Sequence, residues 1–247
     1  MTKTIVTGAS GFIGSHLMKR VPEAEFVDHK LIPFRDYLSR EGRLFFLSTY
    51  GNMAHHSVPQ MMVKANVSDM LDILIGFKGW FCYMSSSSVT LPVQTPYSRT
   101  KRAAEEILQA LPELKSCIVR PYSVTGVGEQ KEHLIPTLIR SCMEGEEMPF
   151  DPYPVHDFID VEDVVDGLLW LSERKVSGIH EFGGGIGYTN EAVKQLVEEA
   201  TGKKANVKET KPLRLYDGPN WYCRNPSFKP KKALVKSIQE MMEAYHA

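Results

Sequence analysis

Three glycines, Gly8, Gly11 and Gly14, follow directly on the apolar run Thr4-Ile5-Val6, and they constrain the fold more than any other feature of the chain. The stretch Thr7-Gly8-Ala9-Ser10-Gly11-Phe12-Ile13-Gly14-Ser15-His16-Leu17 reads as a short strand feeding a tight turn that opens a helix. Glycines at this spacing let the turn close and let backbone approach backbone. They also leave the N–H groups of a helix N-terminus facing whatever lies beyond the strand. Such a terminus carries about half a positive charge and suits a pyrophosphate. Strand, turn and helix in that order are the first half of a βαβ unit, which commits the chain to a parallel sheet.

The later sequence agrees. Residues 3–7 and 25–28 read as strands, as do the buried-type apolar runs Leu44-Phe45-Phe46-Leu47, Trp80-Phe81-Cys82-Tyr83-Met84 and Ser116-Cys117-Ile118-Val119-Arg120. Helices are predicted over 12–20, over Pro59 to Phe77 through Met62, Val63, Val67, Met70, Leu71 and Leu74, and over 97–111. From about residue 121 Gly and Pro become frequent and the elements shorten, with helices at 132–143, 160–173, 189–201 and 232–245. The fold class is therefore α/β: a Rossmann-type doubly wound parallel sheet with a small C-terminal lobe. Residues 1–125, with parts of 150–180, form the dinucleotide-binding domain. Residues 126–150 and 181–247 form a smaller lobe over the C-terminal strand ends, where open α/β sheets bind ligands.

Composition excludes other classes. The 247 residues, 43% hydrophobic, can bury one sizeable core. A net charge of −1 offers no basic stripe for nucleic acid. The apolar runs are too short for a membrane span, and Met1-Thr2-Lys3 leads straight into a strand, leaving no room for a signal peptide. Cys82, Cys117, Cys142 and Cys223 are widely spaced, without a C-x-x-C or a His cluster, so no metal is expected and a cytoplasmic setting is.

Asp28 lies at the end of the second strand, 20 residues after Gly8, where a carboxylate accepts hydrogen bonds from an adenosine ribose. It favours NAD over NADP, although Lys30 could accommodate a 2′-phosphate. The plainer alternative for Asp28 is a strand-end turn residue. Tyr97-x-x-x-Lys101 puts two side chains on one face of a helix that follows the serine run Ser85-Ser86-Ser87-Ser88. A neighbouring ammonium, with an oxidised nicotinamide, would lower the phenol from its ordinary value and make it a general base. The alternative is a surface pair beside a polar loop.

At these residues the chain resembles the extended short-chain dehydrogenases/reductases, in particular the NAD-dependent nucleotide-sugar epimerases and dehydratases. Thr7 to Gly14 is similar to that family's T-G-x-x-G-x-x-G, and Pro96-Tyr97-Ser98-Arg99-Thr100-Lys101 to its P-Y-x-x-S/T-K. Arg120 to Gly128 resembles R-P-x-N-V-Y-G-P-G, and His156-Asp157-Phe158-Ile159-Asp160-Val161-Glu162-Asp163-Val164 resembles R-D-F-I-x-V-x-D-V. The resemblance implies Ser86 as the catalytic hydroxyl, Tyr97 as acid/base, and Lys101 holding the nicotinamide ribose. It implies cofactor contacts at Gly8, Ser10, Gly11, Phe12, Ile13, Gly14, Asp28, Leu47, Ser48, Thr49, Tyr97, Lys101 and Tyr122. Substrate contacts fall at Ser86, Ser123, His133, His156 and Arg214, and Asn66 matches the family's helix asparagine. A homodimer through the helices at about 59–77 and 97–111 is implied as well.

The departures narrow the activity. Ser86-Ser87-Ser88 stands where dehydratases of this family carry T-D-E, so the acid for 4,6-dehydration is missing and the run looks more like that of UDP-galactose 4-epimerase. Ser123 replaces the family's asparagine and His156 its arginine. Ten residues separate Ser86 from Tyr97, a short interval for the family. The leading expectation is an NAD-dependent nucleotide-sugar 4-epimerase. The alternatives are an NAD(P)-dependent reductase or dehydrogenase with the same residues, and a non-enzymatic dinucleotide-binding sensor.

Overall fold

The computed structural model describes residues 3–27, 41–53, 55–75, 77–210 and 222–245. The chain divides into two compact units, Met1–Pro121 with Val165–His180, and Tyr122–Val164 with Glu181–Ala247.

The first unit is built on β1 (Thr4–Thr7), β2 (Glu25–Val27), β3 (Arg43–Phe46), β4 (Trp80–Met84) and β5 (Ser116–Pro121). With β9 (Gly178–Phe182) they make a six-stranded sheet in the order β2-β1-β3-β4-β5-β9. The pairs from β2 to β5 are parallel, with Val6 opposite both Phe26 and Phe45, Phe45 opposite Cys82, and Cys82 opposite Cys117. β2 lies on one side of β1 and β3 on the other. The order of the sheet thus reverses at β1, and the glycine turn sits at the C-terminal end of that strand, at the switch point.

Helices cover both faces, which is why β1 and β4 are buried along their whole length. On one face Ile5, Leu44, Phe46, Phe81, Tyr83 and Ile118 pack with Met70, Ile73, Ala104 and Leu108. Those partners come from α3 (Asp69–Leu74) and α4 (Pro96–Gln109). Toward the other face, Arg43 reaches Ser172 at 3.3 Å, and the Trp80 indole donates to the Val176 carbonyl at 2.8 Å. Ser172 belongs to α6 (Val161–Arg174), and α1 (Phe12–Arg20) follows the glycine turn. The doubly wound parallel sheet expected from the strand pattern is present.

One helix departs from its periodicity. Pro59 to Phe77 reads as a single helix, but it is α2 (Pro59–Val63), a π-helical turn over Lys64–Ser68, and then α3, which stops at Leu74. The π turn carries Asn66, whose side chain takes two residues of a neighbouring loop and one of α4, as described below. Those bonds hold the extra residue that an ordinary helix would not accommodate.

The second unit has a three-stranded sheet of β10 (Gly187–Thr189), β8 (Val155–Asp160) and β6 (Ser123–Thr125), in which β10 is antiparallel and β6 parallel to β8. A small pair joins β7 (Met148–Phe150) to β11 (Val207–Glu209). Helices α5 (Leu134–Glu144), α7 (Asn190–Thr201) and α8 (Leu234–Tyr245) close a core of Ile135, Leu138, Phe150, Val193, Val197, Ile238 and Met241. No helix among the described residues is long and apolar enough to cross a membrane.

Candidate active site

The glycine turn is closed by contacts that leave no room for side chains. Gly8 has φ of +68°, and a Cβ on it would lie 2.7 Å from the Ser48 nitrogen and 2.8 Å from the Leu47 carbonyl carbon. A Cβ on Gly14 would fall 2.0 Å from the Gly8 oxygen. The turn is tied by Gly11 N–H to Gly8 O at 3.0 Å, and the Ser48 N–H donates to Thr7 Oγ1 at 3.3 Å. Gly11 is the N-cap of α1; no side chain caps that end, and no acid occupies its first turn. Phe12 and Ile13 are half-buried at this end, and Ser10 is exposed. An uncapped helix start behind a cradle that any Cβ would fill fits a dinucleotide pyrophosphate. Asp28 lies outside the described residues.

From Ser48 the chain passes directly to the chemistry. The Tyr97 phenol lies near the side chains of Thr49 and Ser86, which favour its ionised form. Ser86 ends the run from β4 and caps the 3-10 turn Ser87–Thr90, accepting the Ser88 N–H at 3.1 Å. Tyr97 sits in the first turn of α4, which starts at Pro96 because Thr95 accepts the Ser98 N–H at 3.2 Å. Lys101, one turn on, is only 1% exposed; its Nζ donates to the Met84 carbonyl at 2.8 Å and lies 5.9 Å from the Tyr97 ring centre. Ser86, Tyr97, Thr49 and Lys101 therefore meet within the first unit.

Asn66 braces this group. Its Oδ1 accepts from Thr49 Oγ1 and the Tyr50 N–H, both at 3.1 Å, and its Nδ2 donates to the Tyr50 carbonyl at 2.8 Å and to Thr100 Oγ1 at 2.9 Å. All four bonds of a fully buried amide are thus satisfied. Gly51 closes the wall, since a Cβ there would come within 3.1 Å of the Tyr97 ring.

Burial raises the Tyr97 phenol above its ordinary value, and the nearby Thr49 and Ser86 side chains offset that only in part. Burial also pushes Lys101 down to about 7, against the upward pull of Glu105. Desolvation acts on both groups in the direction of the neutral form.

The remaining candidates lie in the second unit. Ser123 Oγ and His156 Nδ1 are 3.4 Å apart across β6 and β8. The Tyr122 N–H donates to the Phe182 carbonyl at 2.8 Å. His133 is held elsewhere in the unit, 3.0 Å from Glu129, which also accepts from Thr125 at 2.7 Å. Arg214 lies outside the described residues.

Two buried acids were given no role at the level of sequence: Asp157, which stands in the motif from His156 to Val164, and Glu105, which lies outside the quoted motifs. Asp157, fully buried, accepts the N–H groups of Gly184, Cys223 and Gly185 at 2.6, 2.8 and 3.0 Å; burial raises its carboxyl and these bonds lower it. Glu105 pairs with Arg120 behind Lys101. The available signal for Glu105 was its place one turn beyond Lys101, beside the apolar positions of α4. Among the described residues no group of three His, Cys, Asp or Glu could hold a metal ion.

Fold and site together define a Rossmann-type α/β protein with a glycine turn suited to a dinucleotide. Residues 83–182 match the model of the NAD dependent epimerase/dehydratase family, and the match spans Ser86, Tyr97 and Lys101. The motif resemblance is borne out at that level. Among solved structures, the chain is similar to MoeE5 in complex with UDP-glucuronic acid and NAD, at 20% identity and a TM-score of 0.84, covering 99% of each chain. It is similar to the Thermus thermophilus UDP-glucose 4-epimerase in complex with NAD, at 17% identity and 0.82, covering 99% of each. The Thermotoga maritima UDP-glucose 4-epimerase with UDP-glucose gives 20% and 0.82, covering 99% of this chain and 98% of that one. None of the curated proteins compared with the chain matches it.

Proposed function

We propose that the chain is an NAD-dependent nucleotide-sugar epimerase acting at the sugar C4. The observation that carries the reading is the grouping of these residues in the first unit: Gly8 against Leu47 and Ser48, Tyr97 beside Thr49 and Ser86, and Lys101 5.9 Å from the Tyr97 ring. Gly8, Ser10, Gly11, Phe12, Ile13 and Gly14 would hold the pyrophosphate, Asp28 the adenosine ribose, Leu47, Ser48, Thr49 and Tyr122 the remaining cofactor, and Lys101 the nicotinamide ribose. The bound nicotinamide supplies a reversible hydride acceptor. Tyr97 Oη takes the proton of the sugar hydroxyl in one direction and returns it in the other. Ser86 Oγ hydrogen-bonds the same oxygen and fixes it against Tyr97. Residues 1–125 with parts of 150–180 serve the cofactor, and the rest the sugar nucleotide, through Ser123, His133, His156 and Arg214.

A homodimer and a cytoplasmic setting complete the proposal. Val58, Met61, Val63, Leu71 and Ile75 are exposed apolar side chains on and beside α2 and α3, and the four cysteines are free and buried.

A second reading is a one-way carbonyl reductase, in which Tyr97 delivers its proton to the substrate oxygen from the same position. A single set of measurements separates the two. Denatured protein is analysed by mass spectrometry for released nucleotide, and UDP-, GDP-, ADP- and dTDP-sugars are screened by thermal shift. Sugar nucleotides that stabilise the protein are then assayed. The epimerase reading expects retained NAD and exchange between two sugar nucleotides without net NADH change; stoichiometric consumption of NAD(P)H supports the reductase instead. Tyr97→Phe should lower turnover at least about a hundredfold while leaving nucleotide retention intact. Full activity in that variant would remove Tyr97 from the mechanism.

A further inference from the structure

Tyr97, Lys101 and Glu105 stand at successive turns on one face of α4. Lys101 donates to the Met84 carbonyl at 2.8 Å, Ser85 Oγ donates to Glu105 Oε1, and Tyr97 lies near the Ser86 side chain. Two hydrogen-bonded rungs thus fix the register of the helix against Met84 and Ser85, next to Ser86. The second rung is anchored from behind. Arg120 Nε approaches both Glu105 oxygens, at 3.0 and 3.2 Å, and Arg120 Nη2 donates to Oε2 at 2.5 Å. The same strand end is fixed to β5 by Ser85 N–H to Val119 O at 2.7 Å. Ser85 and Glu105 are each 2% exposed.

We propose that Glu105 is a positioning residue of the Ser86–Tyr97–Lys101 site: its carboxylate, clamped by Arg120, holds Ser85 so that Ser86 faces Tyr97, and faces Lys101 along the helix so that the ammonium is retained. A fully apolar rung at this position would fix the helix as well but would leave Lys101 buried with no acid one turn away. The upward pull of Glu105 on Lys101, against burial, is the electrostatic counterpart of this geometry. Arg120 keeps the acid from being an uncompensated buried charge, and its fork matches the carboxylate in two places. The inference rests on the proposed catalytic role of Ser86, Tyr97 and Lys101, but its test does not need a substrate.

The full chain is labelled with 13C at lysine Cε, the Lys101 resonance is assigned by its loss in Lys101→Arg, and its titration is followed without added nucleotide. Glu105→Gln keeps the size and hydrogen-bonding of the side chain and removes the charge. In this variant the Lys101 midpoint should fall by about one pH unit or more. Because Glu105→Gln removes the acid that Arg120 pairs with, the double variant Glu105→Gln, Arg120→Gln is measured beside it. It should fold and lie between the wild type and Glu105→Gln. A Lys101 midpoint that stays at its wild-type value in a folded variant overturns the proposal. So does failure of both variants to fold, which would make the pair structural only. If Lys101 responds as expected while Tyr97→Phe remains fully active, the catalytic reading fails and the coupling of Glu105 to Lys101 stands.

Discussion

Lys101 is the residue where burial and charge oppose each other most sharply. Its titration falls from 10.5 in the open chain to about 7 in the folded protein. Between these values the unfolded chain binds a proton that the folded chain has released, so stability rises with pH across this window. Below about 7 both states are charged, and the folded state carries the full cost of the buried ammonium. Lys101→Met removes that cost. Urea denaturation at pH 6.5 and 9.5 should therefore show a stability advantage for Lys101→Met over the wild type at the lower pH that shrinks or reverses at the higher. A difference independent of pH would mean that Lys101 is not titrating from its buried position. At Tyr97 the same desolvation opposes the proton loss that a base requires. The motif did not reveal this, because the spacing of Tyr97 and Lys101 places them on one face without saying how closely the Gly51 backbone approaches the ring.

Among the elements, the strands were the most legible. Leu44 to Leu47 and Trp80 to Met84 are continuous apolar runs because both of their faces are covered, and the sequence pattern of such a strand is the pattern of its burial. The broken helix was not legible. Periodicity reports an average of 3.6 residues per turn, and one additional residue between Met62 and Met70 leaves both still on the inner face. Glu105 escaped for another reason: a charged residue is expected outside, and its pairing with Arg120 makes its burial tolerable. Asn66 connects these elements, since it joins the loop after β3 to α4 through four bonds. Asn66→Ala leaves the Tyr50 N–H and carbonyl without their partner inside the structure and should cost about 2 kcal/mol in chemical denaturation. A loss below about 0.5 kcal/mol would show that the bonds are replaced at no cost.

At the scale of the whole molecule, a glycine turn after the first strand and strands alternating with helices define the α/β class, and the strand order reverses at β1. Residues 165–180 belong to the first unit although they lie between stretches of the second in the chain. The exposed apolar residues on and beside α2 and α3 give the proposed dimer its surface: Ile75 is 55% exposed and Met61 45%. Ile75→Asp should sediment as a monomer where the wild type sediments as a dimer, at equal concentration and with unchanged circular dichroism. A wild-type monomer at tens of micromolar would discard the interface.

The π turn at Lys64–Ser68 also bears on insertion and deletion. A π turn is an α-helix that has accepted one more residue without rotating what comes after it. Removing a single residue from this turn should restore a regular helix, with Met62 before it and Met70 and Ile73 after it still facing the core. Asn66 alone would lose its aim toward Thr49, Tyr50 and Thr100. Deleting Ala65 should thus give a protein that folds cooperatively but turns over poorly, separating at one peptide unit the length that the fold tolerates from the length that the site requires.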